Sequence, residues 1–201
     1  VLIKTPNIFS NRLWAYFNFA IGLWGLSAYK VGSTHDPQSA LLWLKIGQIG
    51  VITLPVLFLH FSTNFLEQKN KYLIAGAYLM SALFLITLFA GQFITHIKFM
   101  FNSFYYPTNP PAIFYIFFFI WIVYLTLTYR IAFKKIKMTS GEQRNKIKYF
   151  FISSTIGYTG GVTNFFPVFG INLYPYGNFL VAIFPIVMTF IILKYNLMDI
   201  N

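Results

Sequence analysis

Acidic residues are nearly missing from this chain. Only Asp36, Glu67, Glu142 and Asp199 occur among 201 residues, and each falls in a different loop or terminus. No pair of carboxylates is therefore placed to share acid/base work in one pocket. Cysteine is absent, which excludes disulfides and thiolate chemistry but leaves the compartment open. The three histidines, His35, His60 and His96, have no metal-ligand spacing to one another or to an acid. There is no glycine-rich phosphate loop. No catalytic residues and no metal site are assigned. Charged residues of both signs make up only 9% of the chain, against about 25% in soluble domains.

What is abundant is apolar. Hydrophobic residues reach 57% and aromatic ones 21%. Such a chain lacks the polar groups to cover a surface in water, and the bilayer is its natural solvent. The rings suit lipid-facing helices with aromatic belts at the headgroups. The net charge of +11 fits basic loops facing anionic lipid. Nucleic-acid binding is excluded for want of a soluble basic domain. The first residues, VLIKTPNIFSNR, lack the apolar segment of a cleavable signal peptide. A start at Val1 and an end directly after an apolar run read as a piece of a longer protein.

Six apolar stretches emerge, at 13–31, 39–66, 72–94, 112–133, 147–166 and 176–195. Each approaches the roughly 20 residues that a span needs. The reading is an all-α polytopic transmembrane bundle forming one domain over 1–201. Polar breaks separate the stretches, among them the Pro110–Pro111 pair, which cannot continue a helix. Charge sets the orientation. Lys134, Lys135, Lys137, Arg144, Lys146 and Lys148 crowd one loop, with Arg130 just before it. That face is expected to be cytoplasmic. Alternation puts Lys4, Arg12, Lys69, Lys71 and Lys194 on the same side, and Lys30 and Lys98 opposite. Both ends of the chain are then cytoplasmic, in a multi-pass protein of the inner membrane.

Polar residues inside the stretches are the next candidates. His35–Asp36 sits in a short turn, where Asp36 before Pro37 reads as a helix cap. Lys45 is close enough to the outer end of its span to snorkel. His60 and Asn64 lie one turn apart and read as bonds between helices. Gln48 shares their span but lies about 18 Å from His60 along it. Lys194 is too near the inner end to hold retinal.

The run from Ser140 to Asn201 is the most distinctive. Ser140 with Gln143 forms a capping-box pattern. Gly160 and Gly161 permit close packing or a kink, and Pro185 interrupts the last stretch. These three are the candidates for a signal relay. Asn164 and Asn178 flank an aromatic, proline-rich outer loop that holds Phe169, Tyr174 and Tyr176. Those five are the candidates for ligand binding, against the plainer reading of a tight re-entry with an aromatic belt.

This run resembles the last two helices of the seven-helix membrane sensor region at the N-terminus of many bacterial histidine kinases. The resemblance rests on Ser140–Gly141–Glu142–Gln143–Arg144, Gly160–Gly161 through Asn164–Phe165–Phe166–Pro167, Tyr174–Pro175–Tyr176–Gly177–Asn178, and Lys194–Tyr195–Asn196–Leu197–Met198–Asp199–Ile200. Leu23–Trp24 and His60–Phe61 agree more loosely. The family has seven spans and an outer N-terminus, so a first helix upstream of Val1 is expected. The resemblance implies sensing of a small-molecule or membrane signal and a two-component output. It implies a kinase homodimer, a cognate response regulator, and ATP and Mg²⁺ bound by kinase domains outside this chain. The chain itself is expected to need no cofactor. A small polytopic transporter or channel subunit is the alternative class. It would show an internal duplication or midplane acids, and neither is evident.

Overall fold

A computed structural model of the protein describes residues 9–68 and 70–195. It is a helical bundle with one small hairpin. The long helices are α1 (Phe9–Gly32), α2 (Pro37–Phe65), α3 (Lys71–Phe89), α4 (Ala112–Met138), α5 (Gly141–Val162) and α7 (Asn178–Tyr195). A single-turn α6 (Phe165–Val168) follows α5. The hairpin, β1 (His96–Met100) and β2 (Phe104–Thr108), joins α3 to α4. Its strands are antiparallel, with His96 opposite Thr108 and Met100 opposite Phe104.

Each apolar stretch lies within or overlaps one long helix, but the count of apolar spans is corrected. Among the described residues only α2, α3 and α4 are long and apolar enough to cross a membrane. Helix α1 is diluted by Asn11, Arg12, Asn18 and Lys30. Helix α5 opens on Glu142, Arg144, Lys146 and Lys148, so the basic segment is helix rather than loop. Helix α7 is apolar over Asn178–Ile191 among the described residues.

Local chemistry sets the ends. Asp36 caps α2, its Oδ2 accepting from the Ser39 amide at 2.8 Å, and Pro37 opens the first turn. Asn70 caps α3 in the same way, through the Leu73 amide. Pro111 stands just before α4. Ser140 occupies the cap position of α5 but makes no side-chain cap bond, so the capping box is not formed. Helix α3 stops at Phe89, short of 94, because the chain turns through Gly91 at φ +75°. Phe93 and Ile94 stay buried even so, with the Phe93 ring against Phe84, Phe114 and Phe117.

Helix α1 lies along α2, and α5 lies along α7, while α2 also touches α3 and α4. The first contact is close: a Cβ at Gly50 would meet the Ala20 carbonyl oxygen. Buried side chains divide into two main clusters. One joins Leu13, Trp14 and Phe17 of α1 to Phe58 and Phe61 of α2, Phe150 of α5, and Phe184 and Met188 of α7. It lies toward the end that carries the basic start of α5. The other joins Phe84 of α3, Phe93 of the segment before β1, Phe114 and Phe117 of α4, and Phe165 of α6 toward the hairpin end.

Candidate functional site

Between the clusters lies a cavity of about 220 Å³, walled by α1, α2, α4, α5, α6, α7 and the hairpin. Its apolar walls include Phe17, Trp24, Leu44, Trp121, Val181 and Phe184. No Asp, Glu, Lys, Arg or His among the described residues borders it. Most of its polar side chains are already engaged. Ser27 donates to the Trp43 carbonyl. Ser154 donates to the Phe151 carbonyl at 3.0 Å. From the hairpin, Tyr105 donates to the His35 carbonyl at 3.0 Å.

The hairpin end is tied to the last two long helices through Asn164. Tyr106 donates to Asn164 Oδ1 at 3.2 Å. The Asn164 amide in turn donates to Asn178 Oδ1. Burial pushes the Tyr106 hydroxyl far above the usual tyrosine range, reinforced by nearby Tyr174, so it stays a donor. Two polar atoms at the cavity wall differ from the rest. Gln48 Oε1 and the Tyr158 hydroxyl are buried without a hydrogen-bond partner among the described residues. The Tyr158 ring is held edge-on by Phe58 at 4.9 Å and Trp121 at 5.7 Å.

The five sequence candidates for ligand binding do not form one group. Asn164 and Asn178 border the cavity. Phe169 turns away to pack on Phe114, Tyr115 and Phe118. Tyr174 packs on Phe101 and Phe104 of the hairpin. Tyr176 packs on Tyr174 with its ring tilted and is 69% exposed.

The relay candidates also separate. A Cβ at Gly160 would collide with the Gly177 carbonyl and lie 2.7 Å from Leu180 Cβ, so α5 and α7 touch there backbone to backbone. One turn earlier, a Cβ at Gly157 would come within 2.9 Å of Phe184. Gly161 differs: it borders the cavity, and a Cβ there meets only Val181, at 3.9 Å. Helix α7 continues through Pro185 without a break.

Other polar residues have structural partners. His60 Nδ1 bonds the Tyr78 hydroxyl of α3 at 3.0 Å, and Asn64 donates to Ser10 of α1 at 2.6 Å. The two thus tie α2 to different helices. Lys45 is half-buried and does not border the cavity. Lys4 and the terminal Asn196–Ile200 motif lie outside the described residues.

Sequence reasoning missed Tyr106, Trp121, Gly157, Tyr158 and Gly177 as parts of this region. The one signal for Tyr158 was a phenol among small residues, Gly157 and Gly160–Gly161, where a ring has room to turn inward.

No curated protein and no solved structure matches this chain. A family model does, over residues 4–201, and its description is the N-terminal 7TM region of histidine kinase. The match spans the cavity, the α5–α7 contact and nearly the whole chain. Apolar helices and this match together make it a membrane protein, and the chain belongs to the family of N-terminal seven-transmembrane regions of histidine kinases.

Proposed function

We propose that this chain receives a signal within the membrane and passes it through α7 to histidine-kinase domains. One observation carries the reading. Asn178, Val181 and Phe184 of α7 form part of the cavity wall, while Gly160 and Gly177 lock α7 onto α5. An occupant of the cavity therefore touches the last helix directly. Gating follows from differential affinity: a ligand that fits one α5–α7 packing better shifts the bundle toward it. Close-packed glycine contacts suit this, since packed interfaces favour discrete arrangements over gradual deformation.

The basic end of the bundle faces the cytoplasm of the inner membrane in this reading. The output is autophosphorylation within a kinase homodimer, which uses ATP and Mg²⁺, followed by transfer to a response regulator. These steps belong to domains outside the chain.

The test uses the full-length kinase in membrane vesicles, with autophosphorylation from radiolabelled ATP as readout. Gly160→Ala is expected to shift basal activity up or down severalfold by forcing α7 away from α5. Gly76→Ala, where a Cβ meets nothing within 4 Å, serves as the silent control. Unchanged activity in a folded Gly160→Ala protein would sink the relay.

A further inference from the structure

We infer that the cavity takes a small, uncharged, mostly apolar molecule with one hydrogen-bonding end, which Gln48 and Tyr158 read. The inference rests on the sensor reading above and adds the chemical class of the ligand.

Size comes first. An engineered cavity of about 150 Å³ holds benzene, with its six carbons. The cavity here, about 220 Å³, scales to roughly nine non-hydrogen atoms. Charge comes next. With no ionised side chain on the wall, an ion would lose its hydration without gaining a counter-charge. That loss far exceeds what an apolar wall returns. Carboxylates, phosphates and amines are therefore excluded as ligands.

The polar end is marked by the side chains whose polar atoms are buried and unmatched. Ser27, Ser154, Tyr105, Tyr106, Asn164 and Asn178 all have partners on the protein. Gln48 Oε1 and the Tyr158 hydroxyl have none, and they sit on two facing elements, α2 and α5. Each is a desolvated polar atom without a match on the protein, and such atoms are costly to leave unmatched. An incoming hydroxyl can donate to Gln48 and accept from Tyr158 once these side chains rotate toward it. A ligand that makes both bonds binds best to the packing that presents both side chains, and that preference is the differential affinity that a sensor requires.

The experiment uses the 201-residue chain in lipid nanodiscs and its own tryptophans. Trp24 and Trp121 border the cavity; Trp14 and Trp43 do not. A Trp14→Phe/Trp43→Phe background thus reports on the cavity. The probes are ω-bromoheptanol, bromoheptane and ω-bromoheptanoate, whose bromine quenches indole fluorescence on contact.

The alcohol is expected to quench saturably and to bind roughly five- to 150-fold more tightly than bromoheptane, the worth of two neutral hydrogen bonds. Gln48→Leu and Tyr158→Phe should each reduce that preference, and the double variant should erase it, while bromoheptane binding stays in place. Gly161→Leu, which fills the cavity without a backbone clash, should abolish saturation for both. Saturable binding of the carboxylate at the alcohol's affinity would overturn the uncharged class. Equal affinity for alcohol and alkane in the parent would overturn the role of Gln48 and Tyr158. Quenching that rises only with lipid partition would overturn the site itself. The titration makes no use of kinase activity. Its failure therefore leaves the sensor reading standing on the Gly160 test, and failure of that test with saturable alcohol binding leaves a ligand site without this output.

Discussion

The two ends of the bundle are built from the same kinds of residue and packed in opposite ways. Toward the basic end the core is solid. Phe58 is ringed by Phe17 at 5.9 Å, Phe150 at 5.9 Å and Phe151 at 6.2 Å, and is 1% exposed. Toward the hairpin end the helices leave about 220 Å³ unfilled, and the gap is bridged by a polar chain from Tyr106 through Asn164 to Asn178. In lipid no hydrophobic drive separates helix from solvent, so fit between side chains and interhelical hydrogen bonds hold a bundle together. Where fit is complete the element is rigid. Where it is incomplete and polar groups carry the contact, the arrangement is able to change.

Substitutions in each end put that contrast at risk. The largest effect is expected from Phe58→Ala in the solid end, about 3–5 kcal/mol by denaturant unfolding of the chain in detergent. Leu44→Ala at the cavity wall should cost less than about 2 kcal/mol, because its neighbours already face empty space. Equal losses at the two sites would erase the distinction between a solid and a hollow end.

Gly160→Ala comes next, at about 1–3 kcal/mol, since the added methyl is driven into the Gly177 carbonyl. Gly161→Ala, one residue on, should be near neutral in the same unfolding experiment. Asn164→Leu is expected to cost about 1–2 kcal/mol by leaving Tyr106 and Asn178 without their shared partner. Its signature is loss of order in the hairpin, read as faster amide exchange over 96–108 than in the parent.

The smallest effect concerns the rim of the hairpin end. The Ser39 hydrogen bonds hold the Asp36 carboxyl below its usual value of 3.8. The stability contributed by this cap is present above that value and is lost as pH falls through the lower folded value. Asp36→Asn keeps a capping oxygen and removes the titration. Unfolding midpoints between neutral and acidic pH should therefore converge for parent and variant at low pH. A constant gap would remove Asp36 from the acid response.

Much of the fold was legible in one dimension. The roughly 20-residue apolar windows are a local measure of preference for lipid over water, and they located all six long helices. Asp36 before Pro37 marked a helix start because a cap is chemistry among near neighbours. Local signals failed where the ending depended on the rest of the chain. Phe93 and Ile94 look like the tail of α3, yet they leave the helix and stay buried, Phe93 against Phe114 and Phe117 of α4. Ser140 and Gln143 have the right spacing for a capping box, but spacing does not orient the side chain toward the amide. Hydropathy also overstated the spans, because α1 and α5 bring Arg12 and the Glu142-to-Lys148 charges into the helices themselves.

The sequence by itself determined that this protein lives in a membrane, where its long helices run, and the motifs by which its family is recognised. These follow from composition and from spacing along the chain, which need no partner. Only the tertiary structure decided which residues meet. It separated Gly160, pressed on Gly177, from Gly161, open to the cavity, though the two are adjacent and identical. It split the aromatic loop, sending Phe169 to α4 and Tyr174 to the hairpin. It brought Gln48 and Tyr158, 110 positions apart, to the lining of one cavity, with Gln48 Oε1 and the Tyr158 hydroxyl unmatched among the described residues. A cavity is the space left between six helices and a hairpin, and no single stretch of the chain records what the others fail to fill.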